Sequence, residues 1–467
     1  MASKLPRYAP PVPEQPTVLI MAAGHGTRMR SSLPKVLHPV CGKPMIAWII
    51  DAARQAGAAR IVCITRPGAG VAEHLPEGVE TAEQGEGEGT GAALLAARGH
   101  VGESATVIVL SGDHPLVSPA LIADLAATHE REGAAATLLT TEELDPTGYG
   151  RIKRAVDGSV ERIVETKHPE GVPEDELAIR EINIGAYAFA GGELYAALDT
   201  VGETGGETYL TGVFPVLRER GGTIAAHPTT DISSAMGVNS RADLLDVERV
   251  ARARLIREHA LNGVTFTAPD TIVIEPGIEI GEDAVIEAGV TLRGATSIGA
   301  GARVGPHATL LDTRIGARAT VLHAYAIEAD VHAEATIGPF AYLRPGTVIE
   351  EGAKVGTYVE VKNSRIGRGT KVPHLSYIGD ADVGEGTNIG AGNITANYDG
   401  RNKHRTTIGA NVHTSVDTTF VAPVRVGDGA YTGAGSVITE DVPPGALGIA
   451  RSRQKNIEGY ADRAKKK

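Results

Sequence analysis

The feature that most constrains this chain is a period of six. From Ile274 onward, large aliphatic residues stand at Ile280, Ile286, Leu292, Ile298, Val304 and Leu310, with small or polar residues between them. Neither a helical period nor a two-residue alternation makes only every sixth residue large and aliphatic. Such a segment cannot bury its apolar face alone and has to stack on copies of itself. The register slips and resumes as Ile315, Val321 and Ile327, then as Val331, Ile337, Leu343, Ile349, Val355 and Val361, then as Ile366, Val372 and Ile378. Val383, Ile389, Ile408, Val426 and Ile438 extend it, with Thr or Phe at other repeat positions. The pattern predicts a parallel β-helix whose aliphatic residues point into a prism, with three hexads, roughly eighteen residues, per coil and roughly eight to ten coils. Gly often follows the aliphatic residue, as in Ile280-Gly281, Ile298-Gly299 and Ile315-Gly316, and is expected to take corner backbone angles that a side chain forbids. A prism of this gauge is expected to exclude rings, in keeping with an aromatic content of 4%.

The 467 residues exceed one compact core and predict two or three domains. A formal charge of −12 argues against general nucleic-acid binding through phosphate neutralisation. Cys41 and Cys63 lack metal-ligand spacing and are too few for a disulfide framework, which points to a reducing compartment, the cytoplasm. Residues 1–16 read as a disordered, Pro-rich lead-in without an apolar run, and no later stretch is long and apolar enough for membrane insertion.

Before the repeat, strand-like and helical runs alternate: 17–21 strand, 44–56 helix, 60–65 strand, 91–98 helix, 106–110 strand, 119–130 helix and 134–140 strand. That alternation predicts a doubly wound α/β domain with mostly parallel strands and ligands at their carboxyl ends. The first strand runs into Ala22-Ala23-Gly24-His25-Gly26-Thr27-Arg28-Met29, where small residues let backbone N–H groups approach an anion and Arg28 adds fixed charge. The turn is neither the dinucleotide fingerprint nor a P-loop, since Met29 replaces the third Gly and no Gly-Lys-Ser/Thr is present. Taken alone it reads as an ordinary turn; Lys35, in Leu33-Pro34-Lys35-Val36-Leu37, returns a second cation to the same mouth. Asp113, in Ser111-Gly112-Asp113-His114-Pro115, offers a hard oxygen at a strand end, suited to Mg²⁺ shared with phosphates or equally to capping the next turn. Ser240 is an N-cap for a helix over 241–262 that Gly263 stops, with Leu244, Val247, Val250, Leu255 and Leu261 as its apolar positions.

With these residues in view, the chain from about Val18 to Arg453 resembles the bifunctional bacterial N-acetylglucosamine-1-phosphate uridylyltransferase/glucosamine-1-phosphate N-acetyltransferase family. The resemblance rests on the Gly-rich turn, Leu33 to His38, Gly148-Tyr149-Gly150-Arg151-Ile152, Glu181-Ile182-Asn183 and Gly237-Val238-Asn239. In the second half it rests on Ile337 to Phe340, Leu343-Arg344-Pro345-Gly346, His374 to Asp380, Asn388 to Gly392 and Asn397-Tyr398-Asp399-Gly400. The resemblance implies a nucleotidyltransferase domain over 17–239, a linker helix over 240–263, a left-handed β-helix acetyltransferase over 264–453 and a charged tail over 454–467. It implies two reactions, acetyl transfer from acetyl-CoA to glucosamine 1-phosphate and uridylyl transfer from UTP to the acetylated sugar phosphate. In the first half Asp113 and Asn239 match the Mg²⁺ ligands, and Arg28 and Lys35 the catalytic cations. Ala23, Gly24, Gln84 and Thr90 match nucleotide contacts; Gly150, Glu165 and Asn183 match sugar contacts. In the second half His374 matches the general base, a role for which histidine's neutral-range titration suits it. Arg344 and Lys362 match phosphate contacts, Tyr377 and Asn388 sugar contacts, and Asn397, Tyr398 and Lys403 a loop over 397–407 that completes the site. Ala434 and Arg451 match contacts to the acetyl donor. A homotrimer is implied as well.

The chain also departs from the family's pattern. An acidic insertion, Gly85-Glu86-Gly87-Glu88-Gly89, lies between Gln84 and Thr90 and is expected to repel a triphosphate unless it points away. Ala92, Ser111 and Gly212 replace the usual His, Tyr and Asp, and Val416 stands where a Ser is usual, with Ser415 one place early. These departures leave open a chain that keeps only nucleotidyl transfer, with the β-helix as a trimerising scaffold. A non-catalytic sensor or rod would instead predict broken phosphate and metal positions, yet Arg28, Lys35, Asp113 and Asn239 are present.

Overall fold

A computed structural model of the chain describes residues 15–102, 105–166, 171–203 and 206–465. The lead-in through residue 14 and the last two residues of the charged tail lie outside the described residues. The chain divides into two compact units, Met1–Ala251 and Arg252–Lys467.

In the first unit, β1 (Thr17–Met21) is an apolar run flanked in parallel by β2 (Arg60–Thr65) and β4 (Thr106–Ser111), with β3 (Glu80–Glu83) beyond β2. Alternate residues of β1 serve opposite faces: Val18 and Ile20 pack with Ile46, Ile108 and Ile122, whereas Leu19 packs with Val62, Val107 and Phe189. Burial on both sides is why the strand reads as continuously apolar. Cys63 faces this interior, and burial pushes its thiol up to about 12, which leaves it chemically inert at neutral pH.

The expectation of mostly parallel pairing holds for this half of the sheet and fails for the other. Strand β5 (Ala136–Thr141) does not neighbour β4, because β8 (Ile182–Ala190) inserts antiparallel to both. The hairpin of β6 (Arg151–Arg154) and β7 (Val160–Val164) hangs from β8, and β9 (Ile224–Pro228) closes the edge parallel to β5. A strand that enters the sheet from a later part of the chain cannot be read from local alternation.

The helix read from Ser240 spans Arg241–Leu261. Ser240 Oγ accepts from Asp243 N–H at 3.3 Å, and the Asp243 carboxylate accepts from the backbone N–H groups of Asn239 and Ser240 at 2.9 and 2.8 Å. This reciprocal cap fixes where the helix begins and holds the backbone of Asn239. Val247 is buried, but Leu261, expected on the apolar face, is 76% exposed.

In the second unit the hexads form three parallel sheets of seven, ten and nine strands, each strand paired with its counterpart one coil away. Ile286, Leu292, Val304, Leu310, Ile337 and Val361 are fully buried in one continuous core. Three expectations need correction. Leu310 pairs with Ala326 rather than Ile327, so Ala326 takes the inward place after a shortened coil and Ile327 is only half-buried. Register here follows the ladder and not the count of residues. The prism also admits a ring: Phe420 is fully buried, paired across the coils with Thr395 and Ile438, and the small threonine leaves the space. Lastly, the glycine after the aliphatic residue is needed for clearance more often than for its angles. Gly281, Gly299 and Gly316 are not in the left-handed region, yet a Cβ on each would stand 2.5 Å from a backbone atom of the next coil. Gly316→Ala should therefore destabilise the unit by about 2 kcal/mol through overpacking, read as a lower urea midpoint for its unfolding.

Candidate active sites

The first site is built at the carboxyl ends of β1, β2 and β4. Gly26 turns the chain at φ 61°, and a Cβ there would stand 2.7 Å from that of Lys35, so the two turns pack in contact. Lys35 thereby reaches inward, and its Nζ donates to Asp113 Oδ2 at 2.5 Å and to Asn239 Oδ1 at 3.4 Å. Arg28 donates to the same Asn239 oxygen at 2.9 Å. Burial alone would raise the Asp113 carboxyl, but His114, 2.8 Å away, and Lys35 outweigh it and hold it far below the usual carboxylate range. Four residues from three separate stretches are thus drawn together as a permanently ionised carboxylate, an amide oxygen and two cations. Both oxygens face one point, held by the Lys35 ammonium. Among the described residues no group of three His, Cys, Asp or Glu could cage a metal ion.

A cleft of about 340 Å³ opens beside this cluster, lined by Ala23, Gly24, Gln84, Thr90, Lys35 and Asp113 among others. Gln84 is held by its own loop, its Nε2 donating to the Gly87 carbonyl at 3.0 Å, and Thr90 by a distant one, its Oγ1 accepting from Leu210 N–H at 2.9 Å. Ser111 also lines the cleft. The expected repulsion from the acidic insertion is largely answered for Glu88, whose carboxylate lies against the Arg66 guanidinium at 2.9 Å and titrates below its usual value for that reason. Arg66 carries no motif, and the sequence reading missed it; its only signal was its place just past the end of a strand.

Gly150, Asn183 and Glu165 come from the β6–β8 region. Gly150 accepts from Asn183 N–H at 2.9 Å, and a Cβ on Gly150 would stand 3.8 Å from that of Asn183. Asn183 Nδ2 donates to Tyr187 OH at 2.7 Å, while Glu165 is exposed.

The second site lies on the β-helix. Arg344, Lys362 and Gly379 occupy one register column on consecutive coils, since Leu343, Val361 and Ile378 pair in line before them. Arg344 donates to Glu360 at 2.9 Å and lies over the Tyr342 ring. Lys362 and Lys403 adjoin, and the neighbouring ammonium of Lys362 lowers the Lys403 pKa, with Arg344 adding to the effect. Three cations brought this close favour an anion beside them.

Asp380 organises this cluster from below. Its carboxylate, 6% exposed, accepts from Lys362 Nζ at 3.3 Å, Asn363 Nδ2 at 2.7 Å and Asn397 Nδ2 at 2.5 Å. Asn397 Nδ2 also reaches Tyr377 OH at 3.5 Å. Burial would raise the Asp380 carboxyl, yet these donors together hold it below its ordinary value. A depressed carboxyl adds stability that is complete above the unfolded value of 3.8 and is lost as pH falls through the folded one. Asp380→Asn should lower the urea midpoint at about pH 7 and make it less sensitive to acidification to about pH 3.

His374 ends the strand Lys371–His374, is exposed, and makes no side-chain hydrogen bond among the described residues. Isolated bridges align Lys371, Asn388, His413 and Tyr431 on successive coils. Three residues further along each coil, His374, Ala391, Val416 and Ala434 form an edge: the carbonyls of the first three accept from Gly392, Asp417 and Gly435 N–H. Val416 projects there, 47% exposed, while Ser415 is half-buried one place away. Arg451 is exposed just past that edge's last coil, and Tyr398 caps its own loop by donating to the Gly400 carbonyl at 2.8 Å. The structure therefore gathers Lys362, Tyr377, Asn397 and Lys403 around Asp380, with Arg344 one coil away in the column of Lys362, and sets Asn388, Val416 and Ala434 along the face and edge that carry His374.

Comparison with known proteins finds the MobA-like NTP transferase domain over residues 18–208 and the bacterial transferase hexapeptide, six repeats, over 277–312. Whole-length relatives named bifunctional protein GlmU include one from Streptomyces avermitilis, 48% identical over 455 residues and covering 96% of this chain and 94% of its own. The Heliobacterium modesticaldum protein is 45% identical, covering 96% of this chain and 98% of its own. That of Mycolicibacterium gilvum is also 45% identical, covering 96% and 91%.

Proposed function

This chain belongs to the bifunctional GlmU family, and from that membership we propose that it makes UDP-N-acetylglucosamine in two steps. What supports this most is that one chain carries two separate clusters of cations poised for phosphate, Arg28 with Lys35 and Arg344 with Lys362 and Lys403.

In the acetyltransferase step, Arg344, Lys362 and Lys403 hold the phosphate of glucosamine 1-phosphate, and Tyr377, Asn388 and Asn397 orient its ring. His374 takes the proton from the sugar amine as the nitrogen attacks the thioester carbonyl of acetyl-CoA. The C–N bond forms, the C–S bond breaks, and the released thiolate of coenzyme A takes up a proton. Ala434 and Arg451 receive the donor along the edge above His374, and Tyr398 closes the loop side.

In the uridylyltransferase step, a phosphate oxygen of N-acetylglucosamine 1-phosphate attacks the α-phosphorus of UTP and pyrophosphate leaves. The protein's part is positioning and charge neutralisation. Ala23 and Gly24 offer backbone N–H groups, Gln84 and Thr90 place the nucleotide, Gly150, Glu165 and Asn183 place the sugar, and Arg28 and Lys35 offset charge on the phosphates. Asp113 and Asn239 would hold Mg²⁺, since a carboxylate and an amide oxygen are hard donors of the kind it takes. When bound, Mg²⁺ supplies polarisation of the attacked phosphorus. We assign the boundaries as 17–239 for the nucleotidyltransferase, 240–263 for the linker helix and 264–453 for the acetyltransferase, in a cytoplasmic homotrimer. Among the described residues no helix is long and apolar enough to cross a membrane.

Mass spectrometry after the chain meets glucosamine 1-phosphate, acetyl-CoA, UTP and Mg²⁺ tests the whole reading, with UDP-N-acetylglucosamine expected. The exposed Val416 favours one competing account, a nucleotidyltransferase on a β-helical scaffold. Failure to acetylate, with uridylyl transfer to supplied N-acetylglucosamine 1-phosphate intact, would establish that account instead.

A further inference from the structure

The nucleotide cleft contains an ion pair that the proposed chemistry does not use. Arg66 leaves the end of β2 and donates from Nε to the Ala23 carbonyl at 2.8 Å, which ties it to the Gly-rich turn. Its terminal nitrogens donate to the Glu88 carboxylate, at 3.3 Å to Oε1 and 2.9 Å to Oε2. From the same turn, His25 Nε2 stands 3.7 Å from Glu88 Oε1. All three side chains line the cleft beside Lys35 and Asp113.

A guanidinium engaged at both ends by a carboxylate has no free fork for a phosphate. The Glu88 side chain is 52% exposed and faces the space a polyanion would enter. Pairs this exposed contribute little to stability, so folding does not require the two residues to meet. The Glu88 backbone is pinned, its carbonyl accepting from Thr208 N–H at 2.8 Å, so only its half-exposed side chain is free to turn, whereas the Nε bond to Ala23 keeps the Arg66 guanidinium at the mouth. One side chain of the pair is anchored at its head and the other can rotate away.

We propose, on the nucleotidyl-transfer reading, that Glu88 is an internal anion holding the phosphate-binding fork of Arg66, and that an incoming nucleoside triphosphate binds by displacing it. The pair sets nucleotide affinity and leaves the chemical step alone. Arg66 becomes a phosphate contact only once Glu88 has swung away.

The test compares the full-length chain with Glu88→Gln, Arg66→Met and the double variant, using acetyl transfer as the control for folding. Glu88→Gln is expected to lower KM for UTP about fivefold, as removal of one competing surface charge allows, with kcat within about twofold. Arg66→Met in the Glu88→Gln background should erase that gain. An unchanged or raised KM in Glu88→Gln, or a gain that persists without Arg66, overturns the proposal. Equilibrium binding of UTP to the same four proteins separates it from the reading of the reaction. Equal binding by all four overturns the displacement whether or not pyrophosphate forms, whereas UTP binding without pyrophosphate release by the unaltered chain overturns the reaction instead.

Discussion

His374→Ala should reduce acetyl transfer by about 10²–10⁴-fold in kcat, the range for loss of a positioned general base, while uridylyl transfer stays within about twofold. Attack on a thioester needs an unprotonated amine, and the proposed phosphate contacts Arg344, Lys362 and Lys403 are cations rather than bases. The His374 imidazole is open to solvent and makes no side-chain hydrogen bond among the described residues, so nothing in the fold is lost with it. Its strand is held by backbone pairing, Thr357 lying opposite His374, and this survives truncation of the side chain. The two activities are read separately, as acetylated sugar phosphate by mass spectrometry and as pyrophosphate by a coupled assay. Equal loss of both would refute two independent sites.

Asp113→Ala should do the reverse. Pyrophosphate release should fall about 10²–10³-fold, as for other losses of an aligned electrostatic group, with acetyl transfer preserved. Among the described residues the carboxylate is the only acidic partner of the Lys35 ammonium, and it accepts from His114 on its other oxygen, so its removal leaves both unmatched at the mouth of the cleft. Asn239 alone offers one neutral oxygen, too little to hold a divalent cation among phosphates. Mg²⁺-dependent release that survived the change would refute the assignment of Asp113.

The β-helix was legible because its signal is local. An aliphatic residue at a fixed spacing states which way each side chain faces, and Ile286, Leu292 and Leu310 are buried as their spacing requires. The pattern misled where the ladder and the count disagree, at Ala326, and where a neighbour's small size created room, at Phe420. Neither can be seen without knowing which residues stack. In the α/β unit, β1, β2 and β4 were readable as apolar runs, but the insertion of β8 is a matter of topology and left no local trace. That Arg28 and Lys35 share one mouth was legible from the residues, but the joining of Asp113 and Asn239 to them came from motif resemblance, as spacings in the chain say nothing of a 2.5 Å contact between residues 35 and 113. Arg66 and Asp380 were missed for the same reason. Each acts by meeting partners that the sequence sets far apart or leaves unremarkable.

Each coil of the prism pairs only with the coils on either side, and the ladder runs out beyond Val437–Ile438 and Leu447–Gly448. Stacks of this kind fray from their ends. The edge assigned to the acetyl donor, from Val416 to Arg451, climbs toward that unsupported end, whereas Arg344 and Lys362 sit several coils deeper. Gentle heating should therefore act like a dimmer on one substrate before the other: the donor's grip loosens first, the sugar phosphate is retained longer, and the lost activity returns on cooling while the inner coils remain wound.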